Sequence, residues 1–251
     1  MQTKQQVVVL DLGLFDYREA WALQQSIQQR LIADVRGQSE VERPHVLLLV
    51  EHPHVYTLGK NGDAGNLLLQ PDRLAAINAE YVPIDRGGDI TYHGPGQLVA
   101  YPIFNLNHFF TDIHRYLRFL EDAVIQTLAD YHINGGRVAG KTGVWVGPDD
   151  RGAERKVCAM GIRCSRWVTM HGLALNVDPD LSYFGHIIPC GIVDRGVTSM
   201  VKEMGRSDLR VQDVAKGLTQ HLASLFNFSF EVLSPPQARH WVDTDFLPGA
   251  T

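Results

Sequence analysis

The sequence has few cysteines, no long apolar run and no excess of positive charge, and each shortage excludes a class of protein. Three cysteines, an odd number in 251 residues, without the basic and apolar start of an export signal, argue against a disulfide framework and indicate free thiols. The densest apolar run, Val46 to Val50, is far shorter than the roughly 20 residues of a membrane-spanning helix. A net charge of −5 argues against general nucleic-acid binding. We therefore expect a cytoplasmic protein with no membrane and no nucleic-acid partner.

One segment departs from this acidic balance. Between Arg137 and Arg166 there are seven basic and three acidic residues. Such a local surplus suits an acidic protein partner or an anionic group on a substrate, and it equally suits a solvated basic loop. Elsewhere the composition, with 45% apolar and 20% charged residues, is that of a globular protein that buries a core.

Short strand patterns alternate irregularly with amphipathic helices along the chain. Asp16 and Asp112 are predicted to cap two helices, Pro71 begins a short helix to about Glu80, and helical spacing returns from Leu209. Strand patterns are found at residues 7–10, 45–51, 81–84, 97–106, 143–146, 156–163, 170–177 and 228–232. We interpret residues 52–66 and 85–96 as turn-rich loops. This mixture predicts an α+β fold, a mixed β-sheet flanked by helices, rather than a doubly wound parallel sheet.

A glycine-rich segment, RGGDITYHGPGQ (86–97), lies between two predicted strands. Its first eleven residues include four glycines, interleaved with Arg86, Tyr92 and His93. Glycine backbone can approach a ligand closely, which favours a binding loop, although a turn-rich connection explains the glycines equally well. The segment is neither a Walker A loop, which needs Gly-Lys-Ser/Thr, nor a Rossmann fingerprint, which needs a following helix.

Two further segments are predicted strands with unusual polar residues, RKVCAMGIR (155–163) and HGLALNV (171–177). Strict alternation places Lys156 on one face with Cys158, and Ala159 on the other face with Gly161. A lysine at the start of a strand is usually a solvated end, and His171 is interpreted as a hydrogen-bonded structural histidine. The small residues Ala159 and Gly161 would leave room for an apolar ligand.

The three thiols differ in their surroundings. Cys190 lies between a proline and a glycine, in a tight turn that exposes the sulfur and directs backbone N–H groups towards an attacked atom. Cys158 and Cys164 lie in or beside a strand, which is typical of buried structural cysteine. A zinc site from these thiols and His171 is not expected, because the close Cys-Cys spacing of such sites is missing.

Taken together, four segments resemble the lipoyl(octanoyl) transferase family. They are RGGDITYHGPGQ, RKVCAMGIR, HGLALNV and IIPCGI, in this order over residues 86 to 192, and HPHVYTLGK (52–60) fits as well. The resemblance implies the fold of the biotin and lipoate protein ligases. It also implies a catalytic acyltransferase domain at 1–208, with 209–251 as a small C-terminal helical lobe of the same domain.

Roles for individual residues follow from the same resemblance. Cys190 would carry the acyl group as a thioester, and Lys156 would lower the pKa of its thiol and handle protons. The implied substrate-binding residues are Arg86, Gly87, Gly88, Asp89, Ile90, Thr91, Tyr92, His93, Ala159, Met160, Gly161, Gly172, Leu173 and Ala174.

The implied reaction transfers an octanoyl group from octanoyl-acyl carrier protein to a lysine amine. The acceptors would be the lipoyl domains of 2-oxoacid dehydrogenase complexes and the glycine cleavage H protein. Because exchange between thioesters is nearly isoenergetic, no nucleotide, metal or other cofactor is expected. Three alternatives stay open: an ATP-dependent lipoate or biotin ligase of the same fold, an amidotransferase between lipoyl domains, and a noncatalytic acyl-binding module.

Overall fold

The computed structural model describes residues 4–38, 43–188, 196–242 and 244. The strands in these ranges are β1 (Gln5–Leu14), β2 (His45–Glu51), β3 (Val55–Leu58), β4 (Glu80–Pro83), β5 (Ile90–His93), β6 (Gln97–Ile103), β7 (Gly135–Gly136), β8 (Val144–Val146), β9 (Arg155–Ser165), β10 (Val168–Asn176), β11 (Gly196–Val197) and β12 (Phe228–Leu233). The helices are α1 (Tyr17–Val35), α2 (Pro71–Ala76), α3 (Ile113–Asp130), α4 (Met200–Met204), α5 (Val211–Phe226) and α6 (Pro235–Trp241). Short 3₁₀ turns lie at Ala64–Asn66, Leu106–His108 and Leu181–His186.

The main sheet has the order β12-β1-β2-β6-β10-β9-β8-β7, and β11 pairs with β9 outside this path. β1 runs parallel to both β12 and β2, whereas β2, β6, β10 and β9 follow one another antiparallel. This confirms the predicted mixed sheet flanked by helices.

Both faces of the main sheet are covered. In β2, Leu47 and Leu49 pack in the core under α3 and α5, and Val46 and Leu48 pack in the core under α1 and α6. A strand buried on both faces reads as an unbroken apolar run, which is why residues 45–51 were readily predicted from sequence.

Two predicted helix starts are confirmed by their caps. The Asp16 carboxylate accepts hydrogen bonds from the backbone N–H groups of Arg18 and Glu19, at 2.8 and 3.0 Å. The Asp112 carboxylate binds the first turn of α3 in the same way. Each cap satisfies N–H groups that have no partner within the helix.

The interpretation of residues 52–66 and 85–96 as loops was wrong, because each contains a strand. β3 and β5 pair with each other and join β4 in a second sheet of order β4-β3-β5. These strands have four residues each and pair with distant segments, so they show no local periodicity. The predicted helix from Pro71 ends at Ala76 instead of near Glu80, and Asn78 takes the left-handed conformation (φ 53°) before β4 begins.

Residues beyond Leu209 contribute to the main sheet and its helical layer. β12 pairs with β1, and α5 packs beside α3 in the core. The division of the chain at residues 208 and 209 stays a prediction. In the part of the chain that the structure describes, no helix is long and apolar enough to cross a membrane.

Candidate active site

A pocket lies on the α1 side of the main sheet, bordered by β5, β6, β9 and β10. All of the sequence-predicted binding residues except Gly87 and Tyr92 line it, and so does Lys156. The remaining lining residues that the structure describes are Tyr17, Val99, Tyr101, His171, Phe184 and Val197. Cys190, the predicted nucleophile, lies outside the described residues. The glycine-rich segment and the adjacent strands β9 and β10 therefore converge on one cavity.

The glycines of the site permit close approach of backbones. An ideal Cβ on Gly161 would lie 2.6 Å from the carbonyl oxygen of Gly87, and the Gly87 N–H donates to the carbonyl of Ile162 at 2.9 Å. An ideal Cβ on Gly172 would lie 2.1 Å from the carbonyl oxygen of Ala100. Gly161 and Gly172 line the pocket, but the neighbouring backbone, rather than space for a ligand, is what excludes a side chain there.

Arg86 anchors the glycine-rich segment to the second sheet. Its side chain is buried, with Nη2 donating to the carbonyl and hydroxyl oxygens of Thr57 at 2.8 and 2.9 Å. Nη1 donates to the Gly87 carbonyl at 3.0 Å. Asp89 provides a second anchor for the glycine-rich segment, since its Oδ2 accepts from Asn66 Nδ2 at 2.7 Å.

Tyr92 lies outside the pocket. The Tyr92 ring packs in a separate apolar cluster, its hydroxyl lies 2.8 Å from His54 Nδ1, and it stacks on Tyr183. His93 faces the pocket, and burial lowers its pKa to about 3. Because His93 is neutral near pH 7, it can position groups but has no proton to give as an imidazolium.

A β-bulge determines which face Lys156 occupies. Trp145 pairs with Lys156, but the next residue of β8, Val144, pairs with Cys158. The extra residue of β9, Val157, interrupts the alternation, and both Val157 and Cys158 are buried in the core under α3 and α5. The prediction that Lys156 shares a face with Cys158 was therefore wrong, since Lys156 lines the pocket.

The ammonium of Lys156 lies over an aromatic ring. Its Nζ is 4.7 Å from the centroid of the Trp145 ring, a cation–π contact that favours the charged form by about 0.5–1 kcal/mol. The Lys156 backbone is held by β11, in which Val197 is its register partner and the Thr198 N–H donates to its carbonyl at 3.0 Å.

The two cysteines within the described ranges, Cys158 and Cys164, are free thiols. Cys158 is fully buried, and burial raises the pKa of its thiol. Cys164 is partly exposed, and burial also raises its pKa. A thiol with a raised pKa is a poor nucleophile at neutral pH. Within the same ranges no group of three or more His, Cys, Asp and Glu side chains is arranged to hold a metal ion.

His171 joins the pocket to the segment before Arg86. Its Nε2 lies 2.9 Å from Asp85 Oδ1, and Asp85 also pairs with Arg163. Burial lowers the pKa of His171, and the hydrogen bond from His171 lowers the pKa of Asp85. We therefore assign a neutral His171 that donates Nε2–H to an ionised Asp85. The predicted hydrogen-bonded histidine is confirmed, and its position in the pocket was missed.

Most of the basic surplus between Arg137 and Arg166 is neutralised within the fold. Arg137 pairs with Glu121 at 2.7 Å, and Arg155 pairs with Glu203 at 2.6 Å and Asp149 at 2.8 Å. Arg151 shares these last two carboxylates, and Arg163 pairs with Asp85. These contacts favour a structural explanation of the basic segment over a docking surface.

Sequence reasoning missed pocket residues that come from elements without motifs. Tyr17 begins α1, and Val99 and Tyr101 lie on β6, which pairs with β10. In the sequence, Val99 and Tyr101 are marked only by their alternate spacing from Gln97 along a predicted strand. The pairing of β6 with β10, which places them at the pocket, cannot be inferred from neighbouring residues. His171 directly precedes Gly172, so its motif did point to it.

Comparisons with known proteins identify the family of the chain. The model of the lipoyl protein ligase A/B catalytic domain matches residues 16–223. The octanoyltransferase of Cytophaga hutchinsonii is 51% identical over 235 residues, covering 91% of this chain and 96% of that protein. The octanoyltransferase of Christiangramia forsetii is 52% identical over 225 residues, covering 88% and 96%.

Solved structures support the fold. A putative lipoate protein ligase from T. acidophilum superposes with a TM-score of 0.65 at 14% identity, covering 97% of this chain and 96% of that one. A lipoate-protein ligase A bound with ATP gives 0.67 at 14% identity, with coverage of 97% and 96%. From the family match and the two close relatives, this chain belongs to the octanoyltransferase family, within the lipoyl protein ligase A/B catalytic domains.

Proposed function

We propose that this chain transfers an octanoyl group from octanoyl-acyl carrier protein to the lysine of a lipoyl domain, through an acyl thioester on Cys190. The observation that carries the proposal is the pocket in which three separated motifs meet beside Lys156. The relatives named octanoyltransferase support the acyl group and the reaction class. The proposed acceptors are lipoyl domains of 2-oxoacid dehydrogenase complexes and the glycine cleavage H protein, and the proposed location is the cytoplasm.

In the first half-reaction the Cys190 thiolate attacks the carbonyl carbon of the donor thioester. The carbon–sulfur bond to the carrier breaks, and the carrier thiolate takes a proton from the Lys156 ammonium. A free cysteine has a pKa of about 8.5, so a neighbouring cation is needed to populate the thiolate at neutral pH. The Trp145 ring helps to keep Lys156 charged for this role.

In the second half-reaction the neutral lysine amine of the acceptor attacks the acyl-enzyme. An amide bond forms, the carbon–sulfur bond to Cys190 breaks, and the amine loses a proton to Lys156, which returns as the ammonium. The predicted binding residues other than Gly87 and Tyr92 would contact the acyl chain along β5, β9 and β10. Gly87 would act by holding the backbone of the glycine-rich segment against β9, and Tyr92 by holding the second sheet.

A donor comparison separates this proposal from its alternatives. Transfer to a lipoyl domain is followed by intact mass with octanoyl-acyl carrier protein, with octanoate plus ATP, or with an octanoylated lipoyl domain as donor. We expect transfer from the carrier protein without ATP, lost in Cys190→Ser and kept in Cys164→Ser. Transfer only from octanoate plus ATP, unaffected by Cys190→Ser, would instead identify a ligase.

The other two outcomes are equally distinct. Transfer only from the octanoylated lipoyl domain would identify an amidotransferase. Binding of the octanoyl carrier with no transfer from any donor would identify a noncatalytic acyl-binding module.

A further inference from the structure

A continuous series of buried hydrogen bonds runs from the pocket to the strand beside Lys156. Its links are Arg86 Nη2 to Thr57 Oγ1 (2.9 Å), Thr57 Oγ1 to His93 Nε2 (3.4 Å), His93 Nδ1 to Gln97 Oε1 (2.7 Å), Gln97 Nε2 to Asn176 Oδ1 (2.8 Å) and Asn176 Nδ2 to the Thr198 carbonyl (2.9 Å). All six residues are buried. We call this series the amide relay.

The donors of the amide relay all point the same way. The Arg86 guanidinium can only donate, so the Thr57 hydroxyl accepts from it. Because Gln97 donates with Nε2, its Oε1 accepts from His93 Nδ1–H. The unprotonated His93 Nε2 accepts from the Thr57 hydroxyl. His93 is then the Nδ1–H tautomer, which is consistent with its neutral state. Gln97 accepts from His93 and donates both to Asn176 and to the Tyr92 carbonyl. Hydrogen bonds aligned in series polarise and strengthen one another.

The two amides connect strands that hold different parts of the site. Gln97 and Asn176 are register partners on β6 and β10. The Asn176 side-chain amide then donates to the carbonyl of Thr198. The backbone N–H of Thr198 donates in turn to the carbonyl of Lys156. The backbone of Thr198 is thus held through its carbonyl by the amide relay and through its N–H by β9, the strand that bears Lys156.

We propose that Gln97 and Asn176 are positioning residues, which hold the strand beside Lys156 in a fixed relation to Arg86 and the acyl pocket. The proposal rests on the function proposed above. Neither side chain lines the pocket among the described residues, so each acts through another group. Gln97 acts through His93 at the pocket, and Asn176 acts through the Thr198 peptide at Lys156.

The chemistry of the amide supports positioning over simple core filling. Burying two side-chain amides costs free energy that an apolar pair of similar volume would avoid. An asparagine accepts from Gln97 with its oxygen while it donates to Thr198 with its nitrogen. An aspartate keeps the acceptor, loses the donor and repels the Thr198 carbonyl, so Asn176→Asp breaks one link with almost no change of volume.

The test compares Asn176→Asp with Asn105→Asp. Asn105 is also buried and also donates through Nδ2, to His108, but it follows the opposite end of β6. We expect Asn176→Asp to speed amide hydrogen exchange at Thr198 and to lower kcat by about tenfold, equivalent to the loss of one buried hydrogen bond. The KM for octanoyl-acyl carrier protein should change far less. Asn105→Asp should lower the melting temperature without either local effect.

Gln97→Met keeps the length of the side chain and removes the links of the amide relay to His93 and Asn176, so it carries the same test if Asn176→Asp does not fold. Thr198 exchange and kcat that stay within about twofold of the parent in the folded variants would overturn the proposal. The exchange measurement needs no acyl substrate. If octanoyl transfer itself fails, exchange at Thr198 still decides whether the amide relay holds the strand beside Lys156.

Discussion

The carbonyl oxygen of Gly87 lies where a side chain on Gly161 would have to be, 2.6 Å from an ideal Cβ. Gly161→Ala should therefore push the glycine-rich segment away from β9, with a loss of about 1–3 kcal/mol in unfolding free energy. We expect a raised KM for the octanoyl donor as well, because Arg86 and Gly88 line the pocket. Steady-state kinetics and urea unfolding measure both effects.

The matched control is Gly136→Ala in β7, where an added Cβ meets nothing within 4 Å. It should leave KM and stability close to those of the parent protein. If Gly161→Ala behaves like this control, the close approach of the two backbones is not what requires glycine at position 161.

The contact between Lys156 and Trp145 predicts an effect on thiol reactivity. Trp145→Leu removes the ring below the ammonium, so the charged form of Lys156 loses about 0.5–1 kcal/mol of stabilisation. The pH midpoint for alkylation of Cys190 should rise by less than about one unit. Trp145→Phe keeps an aromatic face and should shift it less. An identical pH midpoint in all three proteins would show that Trp145 does not affect the reactivity of Cys190.

The Asp85 carboxylate binds both His171 and Arg163, which leads to a prediction for Asp85→Asn. The amide still accepts from His171 but loses the charge opposite Arg163, so we expect a loss of about 1–3 kcal/mol in unfolding free energy. The KM for the octanoyl donor should rise more than kcat falls, because Asp85 directly precedes Arg86. Asp150→Asn, at an exposed turn, serves as the control. Equal kinetic constants for the two variants would contradict this role.

Buried neutral histidines make stability depend on pH. Burial lowers the pKa of His45 to about 3, of His52 to about 4 and of His93 to about 3. Their unfolded-state pKa is about 6.5, so the unfolded chain binds more protons below that pH and stability falls as the pH falls. Each group contributes about 1.4 kcal/mol per pH unit between 6.5 and its folded value.

Urea unfolding at pH 7.5 and 5.5 should therefore differ by about 4 kcal/mol from these three histidines. His45→Gln should reduce the dependence, whereas His114→Gln, at an exposed position of α3, should leave it unchanged. A free energy of unfolding that is flat between the two pH values would show that the three side chains are not buried in the neutral form.

Local signals account for the parts of the fold that the sequence predicted. The caps at Asp16 and Asp112 and the apolar run of β2 each depend on a few neighbouring residues. β3 and β5 were missed because a four-residue segment is too short to be recognised as a strand before its pairing partner is known, and these two strands pair with each other. β5 contributes Ile90, Thr91 and His93 to the pocket lining, so the cavity itself was not predictable from periodicity.

At the site, motif resemblance identified positions, and the structure determined how they are arranged. The face of Lys156 was mispredicted because the extra residue Val157 in β9 interrupts the alternation, and a bulge of this kind leaves no mark in the sequence. Gly161 was interpreted as space for a ligand, whereas a carbonyl oxygen excludes its side chain. Asn176 lies in an otherwise apolar strand, and the role proposed for it depends on a contact with Thr198 that local sequence does not reveal.

In the proposed reaction the octanoyl group passes through Cys190. The most direct measurement is the intact mass of the protein after mixing with octanoyl-acyl carrier protein in the absence of any acceptor, followed by peptide mapping. We expect a gain of one octanoyl group, located on Cys190, lost in Cys190→Ala and retained in Cys164→Ser. An octanoyl adduct that persists in Cys190→Ala, or complete transfer to a lipoyl domain by that variant, would contradict it.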